Sequence, residues 1–380
     1  MKLRELHIKG FKSIDSDKGQ NIPFGDVTVL LGANGAGKSN VISLFDMLHC
    51  MVNQKMRQYI GKHGANELLF YGQKKTQEIV IKAYFESVVG NNYKITLSFG
   101  HGDRLVIDFK QSKAGQQSPI TSEVYALNNL LSEDIAIFLD TKNESEFAQL
   151  EQEGSKQLNE FFWGIRAYQF SDTSETAIIK QRGYVDDARF LHRDAGNLAA
   201  FLKMLKEHVP YEKYYKRIVQ HIHRIMPQFG DFELDPLPGN RDFVLLNWSD
   251  SSGNDYLLNP HQISDGSLRF MALAALLLQP PDLLPKFVVL DEPELGLHPA
   301  AIAELAGMVK IASQNAQVLL ATQSTRLVDE FEPENLVIAE RDEERNCSIF
   351  RKLDTEQLTE WLERYSLSEL WEKNVLGGQP

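Results

Sequence analysis

Residues 32–39 read Gly-Ala-Asn-Gly-Ala-Gly-Lys-Ser, the GxxxxGK[ST] pattern of a phosphate-binding loop, and no other stretch constrains the fold so tightly. The pattern works where a strand ends and a helix begins. There the glycines let backbone N–H groups converge on phosphate at the helix N-terminus, the lysine reaches the β and γ phosphates, and the serine hydroxyl ligates Mg²⁺. Both flanks meet that condition: residues 26–31 (DVTVLL) predict a short buried strand, and residues 39–51 carry an apolar helical pattern. The segment therefore predicts an α/β fold in which Asn34, Gly35, Gly37, Lys38, Ser39 and Asn40 cradle a nucleotide.

Residues 286–294 (KFVVLDEPE) supply a partner for that loop. An apolar strand delivers Asp291 to its C-terminal end, where a carboxylate can hold Mg²⁺ through water. Glu292 follows at once, placed to orient and deprotonate an attacking water, a step worth roughly 10²- to 10⁴-fold in rate. A third element, residues 263–269 (ISDGSLR), opens an apolar helix just upstream. Ser264 is placed as its N-cap, and a capping serine, Gly266 and free helix N–H groups form an anion site. A subunit that already holds one phosphate loop has little need of a second on the same phosphates, so the expected user is a nucleotide bound by a partner subunit.

Around these motifs the chain changes character twice. Alternation at Ile79, Ile81, Ala83 and Phe85, then Tyr93, Ile95, Leu97 and Phe99, then Leu105, Ile107 and Phe109 predicts an antiparallel meander, its second hairpin closed by residues 100–103. Helical patterns at 197–208 and 211–226 predict an inserted, mainly helical lobe with short strands, residues 111–259, ended by a Pro/Gly-rich stretch at 227–240. From residue 264 helix, strand, helix, strand and strand follow one another, as in a largely parallel sheet covered by helices. The expected division is a discontinuous nucleotide-binding core, residues 1–110 and 260–380, and the insert.

Composition narrows the function. At 43% hydrophobic and 24% charged residues, the chain can build cores for two such units and is neither collagen-like nor disordered. Cys50 and Cys347 form no CxxC pair, so neither a disulfide framework nor a structural zinc site is expected. No apolar run reaches the ~18 residues of a membrane span, and the opening MKLRELHIKG builds no signal-peptide h-region, which points to the cytoplasm and away from membranes. A net charge of -12 opposes the overall basicity of a dedicated nucleic-acid binder, so DNA would need a local basic face. Lys213, Lys216, Arg217, His221, His223 and Arg224, interleaved with Tyr211, Tyr214 and Tyr215, offer one; a solvated helix with inward tyrosines accounts for the same pattern.

In this order the motifs resemble the ABC-type ATPase heads of the SMC, RecF and OLD branch. Residues 8–14 (IKGFKSI) look like the branch's opening strand and its FKS turn near the adenine, 32–39 like Walker A, 264–267 like the signature in its SDG form, and 290–299 like Walker B with the D-loop. The resemblance covers mainly residues 1–100 and 260–345. It implies a P-loop NTPase of ABC-ATPase type with a mixed sheet, using ATP and Mg²⁺, with Ser39 and Asp291 on the metal and Lys38 and Glu292 in catalysis. Gln323 stands where the branch has its switch histidine and would sense the γ-phosphate, although an amide carries no proton charge. Gln73 and Gln77 both qualify as the Q-loop residue. The resemblance further implies ATP-dependent, head-to-tail pairing of two copies, or a higher oligomer. Without SMC-type heptad arms, and without an acidic nuclease cluster in residues 341–380, the chain looks like the stand-alone AAA-family ATPases of this branch. The implied function is an ATP-hydrolysing dimer that gates a DNA-related or antiphage-defence activity through a separately encoded effector. The alternatives are an ATP-stabilised interaction scaffold with little turnover and a transporter-type ATPase subunit; Asp265, where transporters have glycine, argues against the second.

Overall fold

The computed structural model describes residues 1–53, 55–86, 91–99, 105–113, 160–236, 239–252 and 256–378. Its strands in chain order are β1 (Lys2–Lys9), β2 (Gln20–Pro23), β3 (Val27–Leu31), β4 (Glu78–Glu86), β5 (Asn91–Phe99), β6 (Leu105–Lys113), β7 (Ile165–Tyr168), β8 (Gly183–Tyr184), β9 (Phe229–Glu233), β10 (Phe243–Val244), β11 (Asn247–Asp250), β12 (Leu257–Leu258), β13 (Phe287–Asp291), β14 (Gln317–Thr322), β15 (Leu336–Asp342) and β16 (Cys347–Lys352). The helices are α1 (Lys38–Val52), α2 (Met56–His63), α3 (Leu198–Glu207), α4 (Glu212–Ile225), α5 (Asp265–Leu277), α6 (Pro299–Ala312), α7 (Thr325–Val328), α8 (Thr355–Leu362) and α9 (Leu367–Glu372). They fall into two compact units, Met1–Arg166 with Glu332–Pro380, and Ala167–Phe331.

The first unit holds an antiparallel sheet in the order β2-β1-β4-β5-β6. The meander read from the sequence is β4-β5-β6, with Ile79 opposite Leu97 and Leu97 opposite Ile107. In that register the alternating residues share a face, and Ile79, Ile81, Ala83, Tyr93, Ile95 and Leu97 are buried. The turn expected at residues 100–103 lies outside the described residues. β1 lies beside β4, Ile8 opposite Ile81. In the same unit β15 runs parallel to β3 and antiparallel to β16. β3 is buried at every position, as a strand covered on both faces must be. α1 follows directly on the loop after β3 and buries Val41, Leu44, Phe45 and Leu48, the i, i+3, i+4, i+7 stripe of a core-facing helix.

In the second unit β13 and β14 run parallel, Asp291 beside Ala321. β9, β11 and β12 form a small antiparallel sheet, and β8 pairs with β10. α5 is buried from Leu268 to Leu277 except at Arg269, so it runs through a core, whereas α4 buries Tyr215, Ile218, His221 and Ile222 and exposes Lys213, Lys216 and Arg217. The contact boundaries group α3 and α4 with β13 and β14, while the division at 110 and 260 follows motif order and sets them apart; residues 114–159 of the expected insert lie outside the described residues. No described helix is long and apolar enough to cross a membrane. The chain is thus a mixed α/β protein with parallel and antiparallel strand pairs.

Candidate functional site

The loop between β3 and α1 shows why its glycines stand where they do. Gly35 and Gly37 adopt φ of 82° and 108°, a region that a β-carbon resists. At Gly37 there is no room either: a Cβ would lie 2.2 Å from Ser348 Oγ, whereas at Gly35 it would meet nothing within 4 Å. Gly37 is therefore fixed by packing, and Gly35 keeps an open face that a ligand can approach. Lys38 is 5% exposed, and its ammonium donates to the carbonyls of Gly32 (2.6 Å) and Ala33 (3.1 Å), which holds it over the loop. Asn34 and Ser39 are exposed beside it.

Behind the loop three distant segments meet. The Asn40 amide donates to Ser13 Oγ (2.6 Å), Ser13 Oγ lies 2.7 Å from Ser348 Oγ, and the Ser348 N–H donates to the Ser13 carbonyl (2.8 Å). The turn after β1, the first turn of α1 and β16 are thereby tied together. Asp15 closes that turn, accepting N–H bonds from Asp17, Lys18 and Gly19. Burial alone would raise its pKa, but these three bonds win and hold it below the usual carboxylate range.

In the second unit Asp291 ends β13, and Glu292 turns the chain with φ 44°, a left-handed conformation that costs a non-glycine residue about 1 kcal/mol. Its N–H donates to the Ala321 carbonyl (2.8 Å), clamping the turn to β14. Backbone held in this way aims a side chain at a fixed place. Glu294 lies behind, 7% exposed; the Thr322 hydroxyl donates to its Oε1 and accepts the Ser324 N–H (2.9 Å). The other oxygen, Oε2, is buried without a hydrogen-bond partner among the described residues. Burial first, and then the charges of Glu292 and Asp291, raise the Glu294 pKa against the pull of the Thr322 bond. Gln323 lies between Thr322 and Ser324, exposed at the end of β14.

Ser264 caps α5 as expected, accepting the Ser267 N–H (3.1 Å) and donating to Ser267 Oγ (2.8 Å). Gly266 faces the D-loop so closely that a Cβ would lie 2.5 Å from the Gly296 carbonyl oxygen. The Arg269 guanidinium then bridges the carbonyls of Leu295 and Ser171, each at 2.7 Å. The start of α5 and the D-loop form one packed element. Beside it, a cavity is lined by Tyr168, Phe170, Arg269, Leu273, Glu292 and Leu295. The predicted residues thus come together in groups: Asn34, Gly35, Gly37, Lys38, Ser39 and Asn40 in the first unit, and in the second Asp291, Glu292 and Gln323 at neighbouring strand ends, with Ser264 and Gly266 at the start of α5.

A family model described as "AAA domain, putative AbiEii toxin, Type IV TA system" matches residues 27–329, a span that holds every one of these residues. The chain belongs to this AAA family. No curated protein matches it. Among solved structures, an Smc head bound to the C-winged helix domain of ScpA is 15% identical with a TM-score of 0.56, over 95% of this chain and 100% of that chain. The Smc head with an extended coiled coil from Pyrococcus furiosus, bound to the C-terminal domain of ScpA, gives 15% and 0.56 over 95% and 98%. At that identity the likeness is one of fold: this AAA-family chain has the mixed α/β P-loop fold of the Smc heads.

Other residues singled out in the sequence sit as follows. Gln73 and Gln77 are both exposed after the 70–72 turn, Gln73 with its N–H bonded to Asn66. On α4, Tyr215 is buried and donates to Asp231 (2.5 Å), Lys216 pairs with Glu212, and His221 and Arg224 both meet Glu304. Lys213 and Arg217 flank the Tyr214 ring. Three contributors had no role in the sequence reading. Arg269 closes the ISDGSLR stretch, nearly one and a half helical turns after Ser264, and was assigned no function there; Ser348 and Thr322 act through residues remote in sequence and carried no signal.

Proposed function

We propose that this chain binds ATP with Mg²⁺ and hydrolyses it, and that two copies pair head to tail around two nucleotides. The observation that carries the reading is the loop after β3, where Gly35 leaves an open backbone face and Lys38 is held over it by two carbonyls. Phosphate oxygens would replace those carbonyls in bonds that are charge-assisted at both ends and therefore stronger. The exposed Ser39 hydroxyl and the Asp291 carboxylate are hard oxygen donors of the kind Mg²⁺ takes. Mg²⁺ held by such donors would offset charge on the transferred phosphoryl group. Glu292, aimed by its turn, takes the proton of the attacking water, and Gln323 donates an amide hydrogen bond toward the γ-phosphate. Ser264 and Gly266 serve the nucleotide of the partner copy. The cycle gates a DNA-related or antiphage-defence activity through a separate effector; the toxin for which the family is described and the ScpA-bound Smc heads support an output through a partner protein.

Calorimetric titration with ATP tests the site. Lys38→Ala removes charge-assisted bonds worth ~1.5 to 3 kcal/mol each, so affinity is expected to fall at least tenfold. Glu292→Gln keeps binding and lowers turnover by roughly 10² or more. Unchanged affinity in the first variant would defeat the loop assignment, and loss of binding in the second would make Glu292 structural.

A further inference from the structure

At the start of the signature helix lies an ion pair of which only one member belongs to a motif. Lys180 belongs to a single 3₁₀ turn, Ile178–Lys180, and is 7% exposed. Its ammonium donates to the Thr173 carbonyl (2.5 Å) and to Asp265 Oδ1 (3.2 Å). Asp265 is the first residue of α5, between Ser264 and Gly266. The pair is lopsided: the side chain of Lys180 is 8% exposed and that of Asp265 62%. A buried ammonium needs a charged partner to offset lost hydration, whereas an exposed carboxylate does not. Asp172 also feels the charge of Lys180, but its own bonds go to Ser174. The segment that carries Lys180 is anchored a second time, at Ser171, by Arg269 of the same helix.

An aspartate at the head of a helix favours the helix dipole but repels any phosphate brought to the same N–H groups. We propose that Lys180 is a positioning residue of the signature motif: it holds and offsets Asp265, so that Ser264 and Gly266 can receive a phosphate. The role rests on the reading that the signature serves the partner's ATP. Lys180 does not touch that nucleotide; it sets the charge and direction of the carboxylate beside it.

The test compares steady-state ATP hydrolysis and ATP affinity in wild type, Lys180→Gln, Lys180→Arg, Asp265→Asn and the K180Q/D265N double variant. Glutamine keeps a donor for the Thr173 carbonyl and loses the charge. K180Q is expected to lower kcat at least tenfold with ATP affinity of the subunit unchanged, K180R to stay within threefold of wild type, and K180Q/D265N to match D265N within threefold. K180Q at wild-type rate, or a double variant slower than D265N by tenfold, overturns the proposal. If K180Q alone melts early, the comparison of the double variant with D265N still decides, because both lack the carboxylate that Lys180 offsets; D265N also strands the buried ammonium, so its melting temperature is measured alongside. Ser264→Arg separates this result from the underlying reading: full turnover there defeats the signature assignment itself, whereas a dead S264R with a normal K180Q defeats only the role of Lys180.

Discussion

Glu294 holds a carboxyl group where water cannot hydrate it, bonded on one oxygen and bare on the other. Its native pKa lies above the unfolded value of about 4.3, so the native state binds the proton more tightly than the unfolded one. Its contribution to stability is full below about pH 4 and is lost as pH rises through the raised native value. Glu294→Gln keeps an acceptor for Thr322 and removes the ionisation. Melting temperatures measured from pH 4 to 8 are therefore expected to fall for wild type relative to the variant; parallel curves would show that Glu294 ionises normally in the fold. Asp15 works in the opposite sense, since its lowered pKa gives stability above the ordinary carboxylate range that is lost on acidification. At this scale the candidates were legible wherever a proposed reaction demands a residue type at a spacing: Lys38, Ser39, Asp291 and Glu292 stand in contiguous motifs. Glu294 was readable as the residue after Pro293 and no more, because its partner Thr322 lies 28 residues away and meets it through the parallel pairing of β13 and β14.

At the scale of elements, the two loop glycines invite contrasting substitutions. Gly35→Ala meets no atom within 4 Å and costs only the left-handed backbone, about 1 to 2 kcal/mol, yet its methyl stands on the face proposed for phosphate. Gly37→Ala adds a collision with the Ser348 side chain to a more strained φ and is expected to cost more than G35A. Thermal melts should place G37A well below G35A, while ATP affinity should already be weak in G35A; equal melts would mean that Ser348 yields. The strand, loop and helix around these glycines were readable because each signal is local: a buried run, a glycine pattern, a 3.6-residue stripe. That β1 lies beside β4 was not readable, since a strand's own alternation says which face is buried and nothing about its neighbour. The register of β4-β5-β6 was closer to hand, because successive strands tend to pair.

For the whole molecule, the head-to-tail proposal predicts complementation. A Lys38→Ala subunit keeps its own Ser264, and a Ser264→Arg subunit keeps its own Lys38, so each homodimer should be inactive. In an equal mixture half of the dimers are mixed, and each mixed dimer holds one composite site with both halves intact and one with both defects. Hydrolysis should recover to about a quarter of the wild-type rate. A mixture as inactive as its components would mean that the two motifs do not meet across an interface.

The triangle of Asn40, Ser13 and Ser348 also sets a clock. Ser13 and Ser348 lie 335 positions apart, and ribosomes add roughly 5 to 20 residues per second, so about 20 to 70 s of synthesis separate the first anchor of α1 from the last. During that interval the glycine loop and Lys38 exist on the growing chain without β16 behind them. ATP should therefore protect nascent chains from protease only when they are stalled well past residue 348. Protection of chains halted before it would show that the loop holds ATP without that anchor.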